Sequence, residues 1–197
     1  MKILIATRNK GKIHELQLML KGTSFEAVGL QEFPDAPVVV EDGKTYEENA
    51  LKKTRTMFEF TGLLTIADDS GLEVDALNGA PGVYSARFAG PDADDEKNNQ
   101  KLLSQLSAVA DEKRTARFVA VVACTGQGIE KVFRGKVEGR ITHKLAGTQG
   151  FGYDPLFVPQ GFNQTFAELG DSVKNEISHR AQAFRELTAF LQTFRSK

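Results

Sequence analysis

Residues 63–71 read L-L-T-I-A-D-D-S-G, an apolar run that leads straight into the paired carboxylates Asp68 and Asp69. With β-branched Thr65 and Ile66, the run reads as a buried strand. Open α/β sheets place their ligands beyond strand ends of this kind. Neighbours in an extended chain point to opposite sides. One acid can therefore face a ligand while the other braces the loop or holds a metal. Ser70 and Gly71 complete the group, Gly71 allowing a sharp turn or a close approach of ligand to backbone. A plain solvated turn is the alternative, since Asp, Ser and Gly are ordinary turn formers.

Four further stretches could serve the same chemistry. Thr7-Arg8-Asn9-Lys10-Gly11-Lys12 lies between an apolar run and a helical pattern. That arrangement turns backbone N–H groups and a positive dipole end toward a phosphate, although the Walker A pattern is absent. Glu48 follows Thr45 by three residues, which spells a capping box and leaves both a capping and a metal-ligand role open. Residues 146–155, A-G-T-Q-G-F-G-Y-D-P, display two aromatics and a carboxylate on a glycine-rich loop. Such an aromatic can stack on a planar base, worth ~1–3 kcal/mol in single-strand binders, or plug its own loop. Lys174, His179 and Arg180 place positive charge in the first turn of a helix, against its dipole. A local conflict of that kind points to a function that outweighs it; the alternative is that Arg180 snorkels past the core.

Acidic side chains binding Mg²⁺ through one or two oxygens, with water and phosphate completing the shell, fit this set. Phosphoryl chemistry needs positioning, charge neutralisation and an oriented water. The combination points to metal-dependent nucleotide hydrolysis.

The elements that must position these groups follow from periodicity. Residues 2–6 read as a first strand, and Ile13, Leu16, Met19 and Leu20 as a helix after it. Residues 25–30 suggest a second strand. A long helix opens at Thr45 and closes at Gly62. Leu72, Val74 and Ala76 alternate with acids as a half-exposed strand. Asp94 to Leu106 reads as a helix whose acidic start suits its dipole. Residues 117–125 form a long strand, turned by Gly126-Gln127-Gly128 into residues 129–133 as a hairpin, with a further short strand between Gly135 and Gly139. Residues 156–158 return to strand character, and a final helix spans roughly 174–194.

Bulk properties narrow the field. At 197 residues one domain, 1–197, is expected, large enough for a substantial core. With 25 basic against 26 acidic side chains there is no global field to draw nucleic acid or a membrane surface. Cys124, the one cysteine, sits in an apolar run and reads as a small buried hydrophobe. With no metal-type Cys or His spacing, signal-peptide core or membrane span, a cytoplasmic protein is expected.

Six ordered motifs then carry a family resemblance. They are Thr7-x-Asn9-x-x-Lys12, Glu48-Asn49-Ala50, Ala67-Asp68-Asp69-Ser70-Gly71, the stretch from Gly79 to Arg87, Phe151-Gly152-Tyr153-Asp154-Pro155 and Ser178-His179-Arg180. The chain closely resembles the inosine triphosphate pyrophosphatase family. The resemblance implies an α/β fold with a long central mixed sheet, flanking helices and a deep substrate cleft between two lobes, in a Mg²⁺-dependent homodimer. It implies hydrolysis of ITP, dITP and XTP to the monophosphate and pyrophosphate. By the same resemblance Thr7, Asn9 and Lys12 hold the triphosphate, and Asp69 is general base and metal contact, with Glu48 and Asp68 helping to hold Mg²⁺. Ser70 touches substrate, Phe151, Gly152, Tyr153 and Asp154 wall the base pocket, and Lys174, His179 and Arg180 face base or phosphates. Gln149 departs from the glycine common in relatives. A pyrophosphatase of other specificity and a nucleotide sensor without catalysis remain alternatives.

Overall fold

Ile3 and Ile5 point to one side of the first strand, and Leu4 and Ala6 to the other; all four are buried. A strand buried on both faces belongs inside a sheet covered by helices on each side. The computed structural model, which describes residues 1–21 and 23–193, has this arrangement. Its strands are β1 (Lys2–Ile5), β2 (Glu26–Gly29), β3 (Leu64–Val74), β4 (Thr115–Gly126), β5 (Ile129–Ile141) and β6 (Phe157–Pro159). Its α-helices are α1 (Lys10–Leu20), α2 (Tyr46–Thr61), α3 (Asp95–Gln105), α4 (Phe166–Ile177) and α5 (His179–Thr193). The six strands form one sheet in the order β2-β1-β3-β4-β5-β6. β1 runs parallel to β2 and β3, whereas β5 and β6 are antiparallel, so the sheet is mixed as expected.

The chain divides into two compact units. Unit 1 takes Met1–Asp69, Ala120–Arg134 and the chain from Arg180 onward; unit 2 takes Ser70–Val119 and Gly135–His179. Within unit 1, Ile3, Ile5 and Ile66 pack with Leu16, Leu20, Phe184, Leu187 and Leu191, while Leu4, Ala6 and Ala67 pack with Met57. Cys124 belongs to the first of these clusters, and burial pushes its thiol up to about 12, as suits an inert core residue. The core of unit 2 gathers Leu72, Val74, Leu102, Phe118, Phe157 and Phe166.

Three elements differ from the pattern expected of the sequence. β3 does not stop before the acids but continues through Asp68, Asp69, Ser70 and Gly71 to Val74. The ladder outlasts the apolar run because the acids find charged partners inside unit 1. β5 is continuous across Gly135 and Gly139 rather than broken at them. The final helix is two. Thr165 and Glu168 form a second capping box that starts α4, and Ser178, extended at φ −66° and ψ 160°, separates it from α5. Gly170 kinks α4 with φ 76° and ψ 176°, a conformation open in practice only to glycine. Phe194, the expected end of the last helix, lies outside the described residues.

One buried cation in unit 2 spends its hydrogen bonds on backbone carbonyls. Arg114 donates to the carbonyls of Ile141 at 2.9 Å, Leu106 at 2.6 Å and Thr142 at 2.7 Å. These bonds tie the end of α3 to the end of β5. Hydrogen bonds to charged groups contribute about 1.5–3 kcal/mol each, so Arg114→Met is expected to cost ~3 kcal/mol or more in urea unfolding. A change below ~0.5 kcal/mol would show that these carbonyls need no cation.

Candidate active site

In unit 1 the strand β3 delivers two acids into opposite environments. Asp68 is fully buried among cations. Lys12 Nζ lies 2.6 Å and Arg180 Nη2 3.2 Å from its Oδ2, and Lys53 Nζ donates to its backbone carbonyl at 2.8 Å. Burial opposes ionisation, but Arg180, then Lys12 and Lys53, outweigh it and hold the Asp68 carboxyl far below the usual range. Asp68 is thus a permanent anion that organises three cations.

Asp69 has the reverse balance. It is 7% exposed, and burial raises its pKa. Lys53, Lys12 and an Asn49 hydrogen bond pull it down, and Glu41 pushes it up again. Asn49 Nδ2 donates to Asp69 Oδ2 at 3.0 Å, and Lys53 Nζ lies 3.6 Å from Oδ1. The same ammonium is 2.9 Å from Glu41, which also shares a hydrogen bond with Asp69. Burial resists the Glu41 charge, yet Lys53 holds its pKa below the ordinary value. Two neighbouring acids therefore split, one readily ionised and one reluctant, as like charges at close quarters do.

Glu48, the other expected metal ligand, is occupied elsewhere. Its Oε2 accepts the N–H groups of Lys44 at 2.6 Å and Thr45 at 3.3 Å, completing the capping box of α2. The structure brings Glu41 to Asp69 instead. Glu41, Lys53 and Glu15 were not singled out from sequence, and Asn49 entered only within the motif Glu48-Asn49-Ala50. A signal existed for two of them: Asn49 and Lys53 lie one helical turn apart on α2 and are buried with Ala50, Thr54 and Met57. A lysine on an apolar helix face demands a partner.

The loop before α1 is built as expected. Asn9 caps the helix by accepting the Lys12 N–H at 3.1 Å, and Thr7 Oγ1 accepts the Asn9 N–H at 3.2 Å. The first-turn N–H groups of Lys10 and Gly11 thus stand at the positive end of the helix dipole. Arg180, in the first turn of α5, donates to Glu15 on α1 as well as to Asp68. Its charge is therefore balanced by acids, which resolves the dipole conflict, and it is neither snorkelling nor facing solvent.

In unit 2 the aromatic loop and the end of α4 come together. Asp154 Oδ2 accepts from Lys174 Nζ at 2.5 Å and from the Phe151 N–H at 2.9 Å. Lys174 Nζ also lies 4.4 Å from the Phe151 ring centroid, a cation–π contact. Lys174 occupies the last turn of α4, where the dipole favours it. His179 stacks on Phe118 at 4.8 Å with the rings 10° from parallel. Tyr153 is buried and donates its hydroxyl to the Ser85 carbonyl at 2.8 Å, so it supports the loop from beneath. Ser70 is half-buried in β3 and Gly152 half-buried in the loop.

Among the described residues no three His, Cys, Asp or Glu side chains form a ready-made cation cage. Glu41 and Asp69 share the Lys53 ammonium, 2.9 Å and 3.6 Å away. Mg²⁺ is commonly held by one or two carboxylates with substrate phosphates completing its shell, and this pair fits that chemistry.

Comparison with known proteins gives a consistent picture. The model of the Ham1 family matches residues 3–190. A dITP/XTP pyrophosphatase of Desulforamulus reducens is 52% identical over 192 residues, covering 97% of this chain and 96% of that protein. One from Geobacter sulfurreducens is 51% identical, covering 92% of each. Among solved structures, the Staphylococcus aureus Ham1 protein superposes with a TM-score of 0.87 at 41% identity, covering 98% of this chain and 99% of that one. A HAM1 protein from Coxiella burnetii gives 0.88 at 39% identity, again covering 98% and 99%.

Proposed function

We propose, from the premise that this chain belongs to the Ham1 family, that it is a pyrophosphatase of non-standard purine nucleoside triphosphates. In this reading it converts dITP/ITP and XTP/dXTP to the monophosphate and pyrophosphate with Mg²⁺, and so removes deaminated purines before they enter DNA or RNA. Residues 1–197 act as one such domain, in the cytoplasm and as a homodimer.

The observation that carries the reading is Asp69, a buried acid of raised pKa set among two lysines, Asn49 and a second acid. A general base works best when its pKa lies nearer the operating pH than that of an ordinary carboxylate. Asp69 takes the proton of the water that attacks the α-phosphorus. Thr7, Asn9, Lys12, Lys53 and the start of α1 hold the triphosphate and neutralise its charge, with Ser70 alongside. Glu41 and Asp69 hold Mg²⁺, which when bound adds charge neutralisation and acidifies water. The capping bonds of Glu48 and the cations around Asp68 suit those two acids to support rather than to direct ligation.

The base is read by the unit 2 cluster. Phe151 stacks on the purine, Asp154 and Gly152 complete the wall, and Tyr153 supports it. Lys174 and His179 offer donors toward the C6 oxygen. Hypoxanthine and xanthine satisfy such donors, whereas adenine presents an amino group and leaves them unpaired. A site built to hydrogen-bond one partner can reject the analogue by ~10⁴–10⁵-fold.

The direct test is pyrophosphate release with Mg²⁺ across dITP, XTP, GTP, ATP and dUTP. Turnover is expected for dITP and XTP, with ATP and dUTP at least ~100-fold slower. Preference for dUTP or ATP would assign another specificity, and binding with no pyrophosphate released would assign a sensor.

A further inference from the structure

Two side chains of α3 grip the backbone of a single residue in the aromatic loop. Asp95 Oδ2 accepts the Gly152 N–H at 2.7 Å, and Asn99 Nδ2 donates to the Gly152 carbonyl at 2.9 Å. Four residues apart, they share one face of the helix. Asn98, the next residue, holds a neighbouring segment in the same manner. Its Oδ1 accepts the Ala89 N–H at 2.8 Å and its Nδ2 donates to the Ala86 carbonyl at 3.2 Å. That segment is anchored in turn, because the Tyr153 hydroxyl donates to Ser85. Gly152 and Tyr153 are thus tied to α3 both directly and through residues 85–89.

Gly152 has φ +61° and no side chain, so its torsions are freer than those of Phe151, Tyr153 and Asp154 beside it. On either side of it stand the Phe151 ring and the Asp154 carboxylate. Rotation at Gly152 would move one relative to the other and take both off Lys174. Hydrogen bonds to the peptide groups on both sides of Gly152 remove this freedom. Asn99 is 4% exposed and spends its amide on the loop, whereas Asp95 reaches the same residue from the exposed end of the helix.

We infer that Asp95 and Asn99 are positioning residues for purine selection, acting through Gly152 to hold Phe151 and Asp154 in register with Lys174. The inference rests on the reading of this loop as the wall of the base pocket. Neither residue touches the base. Their loss loosens base recognition more than the phosphate chemistry of unit 1.

The experiment compares Asp95→Ala, Asp95→Asn and Asn99→Ala in the full chain, with kcat and KM measured for dITP and dATP and with Tm recorded for each. Asp95→Ala and Asn99→Ala are expected to raise KM for dITP and to narrow the dITP over dATP preference, each by ~10-fold, with kcat for dITP within ~3-fold. Asp95→Asn keeps an oxygen that accepts the Gly152 N–H and restores the wild-type preference. Equal defects in Asp95→Ala and Asp95→Asn, or an unchanged preference in Asp95→Ala, would overturn the inference; because Asp95 is exposed, this pair decides the matter even if Asn99→Ala fails to fold. Wild-type enzyme inert on dITP overturns the parent reading and this role with it. Active wild type with unmoved selectivity in Asp95→Ala overturns this role alone.

Discussion

Asp69→Asn is expected to lower kcat by about 10²–10⁴-fold, the range that a positioned general base supplies. Nucleotide affinity should stay within a few-fold of wild type. The substitution keeps shape and an acceptor for Asn49 Nδ2, and it leaves Lys12, Lys53 and the α1 loop in place. What it removes is the ability to hold a proton. The pH profile gives the same test a second reading. Burial, with Glu41 adding, raises Asp69 above the ordinary 3.8 despite Lys53, Lys12 and Asn49. A base acts when ionised, so wild-type kcat/KM climbs with pH through that raised value, and its acid limb lies above 3.8. The variant loses the limb along with the rate. Steady-state pyrophosphate release across pH, with calorimetric titration of dITP, measures both. Turnover within ~3-fold of wild type would remove Asp69 from the chemistry.

Arg180→Met is expected to destabilise the protein by ~3–5 kcal/mol, because breaking one side of a buried ion cluster strands its partners. Here the stranded partners are Glu15 and Asp68, both buried. The pH dependence has a definite sign. In the wild type the depressed Asp68 pKa contributes stability that is present above the unfolded value of 3.8 and lost as pH falls below it. Without Arg180, only Lys12 and Lys53 are left to oppose burial, and the Asp68 pKa rises. The variant then suffers most near neutrality and partly recovers as pH falls and the acid takes a proton. Urea unfolding at neutral and mildly acidic pH measures the gap, which should shrink with acid. A gap that widened would show that Arg180 does not carry the Asp68 charge. Because the guanidinium is engaged by these acids, residual turnover of dITP and dATP should fall together; a loss confined to dITP would place Arg180 at the base.

By itself the sequence determined most of the elements. Thr45 with Glu48 is a cap whose spacing is local and starts its helix as expected; Asn9 and Asp94 cap α1 and α3 in the same local way. The apolar runs of residues 2–6 and 117–125 likewise set strands, because short runs of this kind fit a buried strand. Thr165 and Glu168 carried the same local cap signature as Thr45 and Glu48, and it passed unread beside the longer stripe of α5. The continuation of β3 through two acids was not legible. A strand that takes Asp68 into the interior holds only because Lys12, Lys53 and Arg180, far apart in the chain, converge on it. Nor could sequence choose Glu41 over Glu48. Both are acids near α2, but one is spent on backbone donors of the cap while the other meets Asp69 across Lys53. Local order depends on neighbours a few residues away and is written in spacing. The pairing of buried charges depends on which distant groups leave water together, and only the folded chain decides that.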